Sequence, residues 1–478
     1  MNIILKSFDG KFCKEIVEEA FKGLKINTCI SIANHKGQWP DLDAKEHEWI
    51  PAAPLRDGKY SDIDWDKITP LDRELIEKMR HAEATVLTML EHYARYRDIP
   101  YNERKRQYFE HFRFLNHLLE TKKINLVLSN HVPHQCYDYV LYSLCKIKRI
   151  PFLFLERFGI IDAFLIENDY EEVGKAIKDG LSELTVKYSD PNKELELSEK
   201  FEEFFQKYST ENEDPWYMFQ REKHLENVSF MRKWCGTAFK LLFKKPQYLL
   251  SSIISLRFWS RKLGQHNASK IYDQRAETPD LNRTYIYVPL HMQPEATTCP
   301  MAGAFTDQEL LVQLLAANTP KDIMIYVKEH PAQGEMCRNE EFYESMREIP
   351  GVKLIHRHFN TFQLTEKALA IATATGTTGL EGMFRGKPVI MFGHRFFQYA
   401  PGVHMVRTNK ECEDAIRKIL EGKELPTPRD MRLFLKAIEN CAKPYAGGPT
   451  GSYEKYTKEE KAVIMGKEIG KSLHPFFN

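Results

Sequence analysis

Three stretches of this sequence place residues able to do chemistry directly behind runs that read as β-strands. The first is Leu290-His291-Met292-Gln293-Pro294-Glu295, behind the run Thr284–Pro289. An imidazole and a carboxylate so placed could serve as general base or nucleophile, with Glu295 and His291 as the candidates. Substrate binding or loop hydrogen bonding is the other use of the same groups. The second is Lys328-Glu329-His330-Pro331, which closes the run Ile323–Lys328. Proline holds the residue before it extended. That puts His330 at the strand's carboxyl end, where it and Lys328 could donate hydrogen bonds to a phosphate. The third follows Ala368–Ala372 and runs Thr373-Ala374-Thr375-Gly376-Thr377-Thr378-Gly379-Leu380-Glu381-Gly382. It reads as strand, hydroxyl- and glycine-rich turn, then helix. Glycine admits close backbone approach, and a new helix offers N–H groups and a positive dipole end. Thr375, Gly376, Thr377, Thr378 and Gly379 therefore read as a phosphate cradle without a Walker lysine. Thr378 and Glu381 also have capping-box spacing, which would employ both inside the helix.

Similar groups follow strand-like runs nearer the N-terminus. Asn125–Ser129 ends in Asn130-His131-Val132-Pro133-His134, and Asp9 follows Asn2–Lys6. Asn130, His134 and Asp9 read as groups that hold a second substrate, and His131 as a further candidate for proton transfer.

The elements that must position these groups alternate between strand and helix in two blocks. The first has the runs Asn2–Lys6, Thr28–Ala33, Asn125–Ser129 and Pro151–Leu155, with helical spacing over Asp72–Arg97 and Asn102–Glu120. The second has Thr284–Pro289, Ile323–Lys328, Val352–Ile355, Ala368–Ala372 and Pro388–Phe392, with helices expected at Asp307–Ala317, Glu340–Ile349, Phe362–Lys367 and Thr378–Phe384. Alternation of this kind predicts parallel sheets covered on both faces, an α/β chain with two Rossmann-like lobes. Residues 1–169 form the expected N-terminal lobe, 170–276 a charged helical insertion, 277–445 the C-terminal lobe, and 446–478 a turn and helix. Thr457 and Glu460 have capping-box spacing at the start of that last helix.

Composition narrows the class. The chain has 478 residues, 42% of them hydrophobic, enough for sizeable cores. Its 68 basic and 67 acidic residues leave a net charge of +1, so nothing draws it globally to nucleic acid. The nine cysteines form no CxxC pair, which signals neither zinc nor redox chemistry and suits reduced thiols in a cytoplasm. The N-terminus does not read as a signal peptide. No uninterrupted run of ~18 apolar residues would span a bilayer. Phe239–Trp259 comes nearest, broken by Lys240, Lys244, Lys245, Pro246 and Arg257. It reads as amphipathic helix, either packed on its own protein or lying on the inner face of an anionic membrane.

Taken together, Pro289-Leu290-His291-Met292-Gln293-Pro294-Glu295, Lys328-Glu329-His330-Pro331 and Thr375 through Val389 resemble the capsular polysaccharide synthesis glycosyltransferases, which include bacterial β-Kdo transferases. The His-Pro step with a hydroxyl pair is also similar to that of bacterial GT-B sialyltransferases. The likeness is good over residues 284–395 and loose in the N-terminal lobe. It implies a GT-B fold, a CMP-sugar donor such as CMP-Kdo, and a glycan or glycolipid acceptor. Carried over by position, His330, Thr377 and Thr378 would hold the donor phosphate, and Glu381 would support the ribose or its loop. His134, Asn130 and Asp9 would lie on the acceptor side. Where Kdo transferases carry an aspartate after a glutamine, this chain has Gln293-Pro294-Glu295, which implies another sugar or another stereochemical course. No DxD-type motif follows the C-lobe strands, so neither a catalytic metal nor another cofactor is expected. A CDP-polyol phosphotransferase of teichoic-acid type and a non-catalytic GT-B-like subunit are the alternative readings.

Overall fold

The computed structural model describes residues 1–9, 11–34, 42–60, 63–93, 99–158, 163–210, 270–331, 333, 338–445 and 456–477. The membrane-face segment Phe239–Trp259, with Lys240, Lys244 and Lys245, lies outside them. The chain divides into two compact units. Unit 1 combines Met1–Met89, Tyr101–Glu202 and Leu435–Asn478; unit 2 combines Leu90–Pro100 and Glu203–Phe434.

The first part of the chain carries β1 (Asn2–Lys6), α1 (Lys11–Ala20), β2 (Ile26–Ala33), β3 (Ala44–Pro51), α2 (Ala52–Arg56), α3 (Arg73–Lys78), α4 (Arg80–Tyr93), α5 (Tyr101–Thr121), β4 (Leu126–Ser129), α6 (Cys136–Lys148), β5 (Phe152–Arg157), β6 (Ala163–Glu167), α7 (Lys175–Lys187) and α8 (Glu199–Thr210). The second carries β7 (Tyr285–Pro289), α9 (Gln308–Asn318), β8 (Met324–Lys328), α10 (Glu340–Glu348), β9 (Val352–Ile355), α11 (Thr361–Lys367), β10 (Ala370–Thr373), α12 (Thr377–Phe384), β11 (Val389–Met391), β12 (Val403–Met405), α13 (Asn409–Leu420), α14 (Pro428–Cys441), β13 (Lys443–Pro444) and α15 (Lys458–Leu473).

Unit 2 holds a six-stranded sheet of order β12-β11-β10-β7-β8-β9, parallel throughout. Its strands are short and buried on both sides, which is why they read in sequence as unbroken apolar runs. Ile286, Val288, Ile325, Val327 and Leu354 fill one face with α9 and α10 residues such as Leu311 and Tyr343; Tyr285, Tyr287, Tyr326 and Ile355 fill the other with Leu364 of α11.

Unit 1 holds a seven-stranded sheet of order β13-β6-β5-β4-β1-β2-β3. Strands β3 to β5 run parallel through β1, and β6 and β13 add antiparallel pairs. Its core joins Ile3, Leu5, Cys29, Leu126 and Leu128 to Ile16 and Val17 of α1 and to Met465, Ile469 and Leu473 of α15. The last helix of the chain thus covers the sheet that the first residues begin. The expected capping box of Thr457 and Glu460 opens it. Two glycines set how closely it approaches α1. A Cβ at Gly466 would stand 2.7 Å from the Ile16 carbonyl, and one at Gly470 would stand 2.9 Å from that of Ala20.

Within unit 1, His111 of α5 is fully enclosed, with Nδ1 2.5 Å from the Tyr60 hydroxyl. Burial pushes its pKa down to about 3. The unfolded chain therefore takes up this proton from about pH 6.5 downward while the native state refuses it, so stability falls as pH drops below 6.5. At pH 5 this group should cost about 2 kcal/mol relative to pH 7.5. Melting temperatures measured at both pH values should show a smaller acid loss in His111→Phe than in the parent chain.

Candidate functional site

In open parallel sheets, neighbouring strands whose connections leave in opposite directions open a crevice at their carboxyl ends. Each unit has one such point. In unit 2 it lies between β7 and β10, since β7 continues to β8 while β10 continues to β11. The segments that follow β7 and β10 begin with Leu290-His291 and Ala374, so two of the stretches singled out in sequence meet at the reversal.

They meet through hydrogen bonds. The Thr375 N–H donates to His291 Nε2 at 3.2 Å, and the Thr373 hydroxyl lies 3.0 Å from the same nitrogen. An imidazole nitrogen that accepts a backbone N–H carries no proton, so His291 is the Nδ1–H tautomer. Thr373 Oγ1 in turn accepts the Gly376 N–H at 3.0 Å. The His291 backbone is clamped by Gln308, whose Oε1 accepts its N–H at 2.7 Å and whose Nε2 donates to its carbonyl at 3.2 Å. Burial, then His330, Arg338 and Arg395, push the His291 pKa down to about 3. His291 therefore stays neutral and uses Nε2 to hold the turn. That geometry fits a positioning role better than the proton acceptor expected from sequence.

The glycines of the turn are packed against protein. A Cβ on Gly376 would lie 2.8 Å from Thr373 Oγ1 and 2.9 Å from His291 Cε1, and one on Gly379 would lie 3.1 Å from Thr373 Cγ2. Gly376 is the N-cap of α12, which has no side-chain cap. The capping box expected of Thr378 and Glu381 is absent because α12 starts at Thr377, two residues too early for Thr378 to cap it. Thr375 is buried, its hydroxyl donating to the Thr297 carbonyl at 2.7 Å, and Gly379 and Glu381 are buried as well. Gly376, Thr377 and Thr378 keep partial exposure.

His330 is likewise partly exposed. Its backbone is fixed by the residue before it: Glu329 Oε1 accepts the His330 N–H at 2.8 Å. Glu329 is fully enclosed and paired with Arg338, whose Nε is 3.0 Å from Oε2. Tyr343 donates to the same oxygen at 2.7 Å, and the Tyr272 hydroxyl accepts the Glu329 N–H at 2.8 Å. Arg338 also reaches the His291 carbonyl at 3.0 Å and the Gln293 side-chain oxygen. Gln333 and Gln293 complete the link, with the Gln293 N–H donating to Gln333 Oε1 at 2.8 Å. One buried ion pair thus ties the loop after β8 to the loop after β7.

One candidate sits differently from expectation. Lys328 is buried on β8 and donates to Thr361 Oγ1 at 2.7 Å, at the first turn of α11. Strand alternation turns it to the sheet face, away from the strand end. Glu295 is partly exposed in its own turn, where its carboxylate accepts from Thr297 Oγ1 at 3.3 Å and its carbonyl from the Thr298 and Cys299 N–H groups. Sequence reasoning missed Arg338 and Arg395. Arg395 follows β11 in Gly393-His394-Arg395, a loop behind a strand of the same sheet, so the rule applied to the other loops would have found it.

In unit 1 the reversal lies between β1 and β4. Here Lys6 of β1 is fully enclosed and ion-paired with Asp138 of α6, and its Nζ stands 3.1 Å from His131 Nε2. Burial outweighs the pull of Asp138 and lowers the Lys6 pKa. The pKa of His131 is held well down by burial and then by Lys6; that of His134 is lowered chiefly by burial. Asn130 donates to the Ser7 carbonyl at 3.0 Å and accepts from Arg157 at 2.9 Å. Asp9 accepts the N–H and side-chain amide of Asn34 at 2.9 and 3.0 Å. The four residues flagged in this part of the sequence therefore share one end of the sheet with three charges not flagged, Lys6, Asp138 and Arg157.

The Glu329–Arg338 pair yields a direct test. Arg338→Met leaves Glu329 enclosed without its cation, a loss of about 3–5 kcal/mol. Glu329→Gln combined with Arg338→Met removes the stranded charge and should recover part of that loss. Chemical denaturation of both variants checks the order.

Residues 222–418, which contain all of the described unit 2 site, match the family model described as capsule polysaccharide biosynthesis protein. No curated protein matches the sequence. Among solved structures, the chain is similar to KpsC, beta Kdo 2,7 transferase, of Thermosulfurimonas dismutans at 10% identity and a TM-score of 0.31, over 92% of this chain and 100% of that one. The beta Kdo 2,4 transferase of the same protein gives 16% and 0.29, over 66% and 79%. The UDP-GlcNAc 2-epimerase of Methanocaldococcus jannaschii gives 11% and 0.26, over 92% and 98%. The family match reaches over residues 222–418, where the chain is similar to the capsule polysaccharide biosynthesis proteins that its motifs also resemble.

Proposed function

We propose that this chain is a glycosyltransferase that takes its sugar from a nucleotide-activated donor, CMP-Kdo or a related CMP-sugar, for a capsular or other bacterial surface glycan. The observation that carries this reading is the set of partly exposed donors beside the strand reversal of unit 2. His330 follows β8, and Gly376, Thr377 and Thr378 open α12 behind β10. An uncapped helix start, a hydroxyl pair and an imidazole suit a phosphate, and preorganised donors can stabilise it as a leaving group without a metal. Arg395, near enough to act on His291, adds a cation to the same neighbourhood. The acceptor is a glycan or glycolipid, with Asp9, Asn130 and His134 as its proposed contacts. The protein would work in the cytoplasm, at the inner membrane face if residues 239–259 dock there.

Transfer of a polyol phosphate from CDP-glycerol would use a similar phosphate site. Hydrolysis of CMP-Kdo, CMP-sialic acid and CDP-glycerol by the pure protein separates the readings, and turnover of none favours a non-catalytic subunit. A thermal-shift screen against CMP, CDP, UDP and GDP identifies the nucleotide. A ligand at about 100 times its Kd stabilises the fold by ~2.7 kcal/mol. His330→Ala should abolish the shift given by CMP and leave the ligand-free melting temperature unchanged, since its ring stands at a loop. A CMP shift of parental size in that variant would remove His330 from the donor site.

Glu295 is the proposed base or nucleophile. Glu295→Gln keeps size and polarity and removes the charge, so it should lower kcat by about two orders of magnitude or more with nucleotide affinity nearly unchanged. Single-turnover rates and CMP titrations read the two separately, and retention of most activity would move the chemistry elsewhere.

A further inference from the structure

The unit 1 cluster has a feature that donor chemistry does not use. His131 and His134 both direct Nδ1 at one carbonyl, that of Val132, at 3.1 and 2.8 Å. A carbonyl oxygen can only accept, so an Nδ1 hydrogen-bonded to it carries the ring proton; at His131 the Lys6 Nζ stands 3.3 Å from Nδ1 and 3.1 Å from Nε2. A histidine whose Nδ1–H is fixed by a backbone carbonyl is the usual arrangement of an imidazole that ligates through Nε2. Asp138, one turn further on, gives Oδ1 to the Gln135 N–H at 2.7 Å and turns Oδ2 toward Lys6. The donor atoms of His131, His134 and Asp138 all lie within 4.8 Å of one another.

Asp138 Oδ2 and the His131 ring already hold a cation between them, the ammonium of Lys6. Two imidazoles and a carboxylate form a three-ligand donor set suited to zinc and its neighbours. Metal–ligand bonds of about 2.0–2.2 Å are shorter than these hydrogen bonds, so the ion and the ammonium exclude each other. The carboxylate is enclosed and the two rings are partly exposed, which leaves the imidazole side as the approach. We propose that His131, His134 and Asp138 bind a divalent transition metal of the zinc class, with the Lys6 ammonium as the cation it displaces. The site departs from the expectation, drawn from the sequence, that the chain holds no metal.

Untagged full-length protein titrated with Co²⁺, followed by its visible ligand-field absorption, and with Zn²⁺ in a calorimeter tests this. The expected result is one saturable equivalent that disappears in the His131→Ala/His134→Ala variant, which keeps the Lys6–Asp138 pair. Lys6→Met, which removes the competing cation, should bind at least about tenfold more tightly. No saturable equivalent in the parent chain, or binding unchanged in the double-histidine variant, overturns the proposal. The chain has 17 histidines and nine cysteines, so the second outcome would place the ion elsewhere. If Lys6→Met fails to fold with Asp138 left unpaired, the parent and the double-histidine variant decide the matter between them.

Discussion

Everything described at the two sites depends on one constraint of parallel sheets. Where the connections leave two neighbouring strands in opposite directions, they part and leave a crevice at the carboxyl ends. In unit 2 the parting strands are β7 and β10, and in unit 1 they are β1 and β4. Both crevices are lined by histidine, and in both the histidine is held neutral by burial and nearby cations. The crevice fixes where chemistry can happen; the loops beyond the strands decide which.

The loops are held by buried charge. In unit 2, Glu329 and Arg338 face each other with almost no solvent contact, and while Glu329 holds the His330 N–H, Arg338 reaches the loop after β7. Such a pair contributes little net stability, because the desolvation of two ions offsets most of their attraction. Its effect is specificity: the His291 carbonyl, the Gln293 side chain and the His330 backbone have one arrangement that satisfies both ions. Lys6 and Asp138 stand in the same relation to His131 in unit 1. A fully satisfied polar network of this kind keeps half-exposed side chains such as His330 in register for a ligand.

Much of this was legible in the sequence. The runs Asn2–Lys6 and Val352–Ile355 are strands from end to end, and the others differ by a residue or two, because strands covered on both faces must be apolar throughout. Strand β3 was missed: Ala44–Pro51 is a partly exposed edge strand rich in Lys, Glu and His, so it carries no apolar run. Strand β12 has only three residues, Val403–Met405, too few to show a period. The break of Asp72–Arg97 into α3 and α4 was also hidden, since both halves share helical spacing.

By itself the sequence determined which residues stand at strand ends, because proline, glycine and the end of an apolar run mark those places locally. That is why His291, His330, Thr375–Gly379 and His131 could be named from spacing alone. Only the tertiary structure decided what those residues do there. It set the Thr375 N–H against His291 Nε2, turned Lys328 onto α11, spent Gly376 on packing, and brought Arg338 to Glu329. It also laid α15 against α1, from opposite ends of the chain. Each of these is a contact between separate elements of the chain, and local periodicity holds no record of which elements meet.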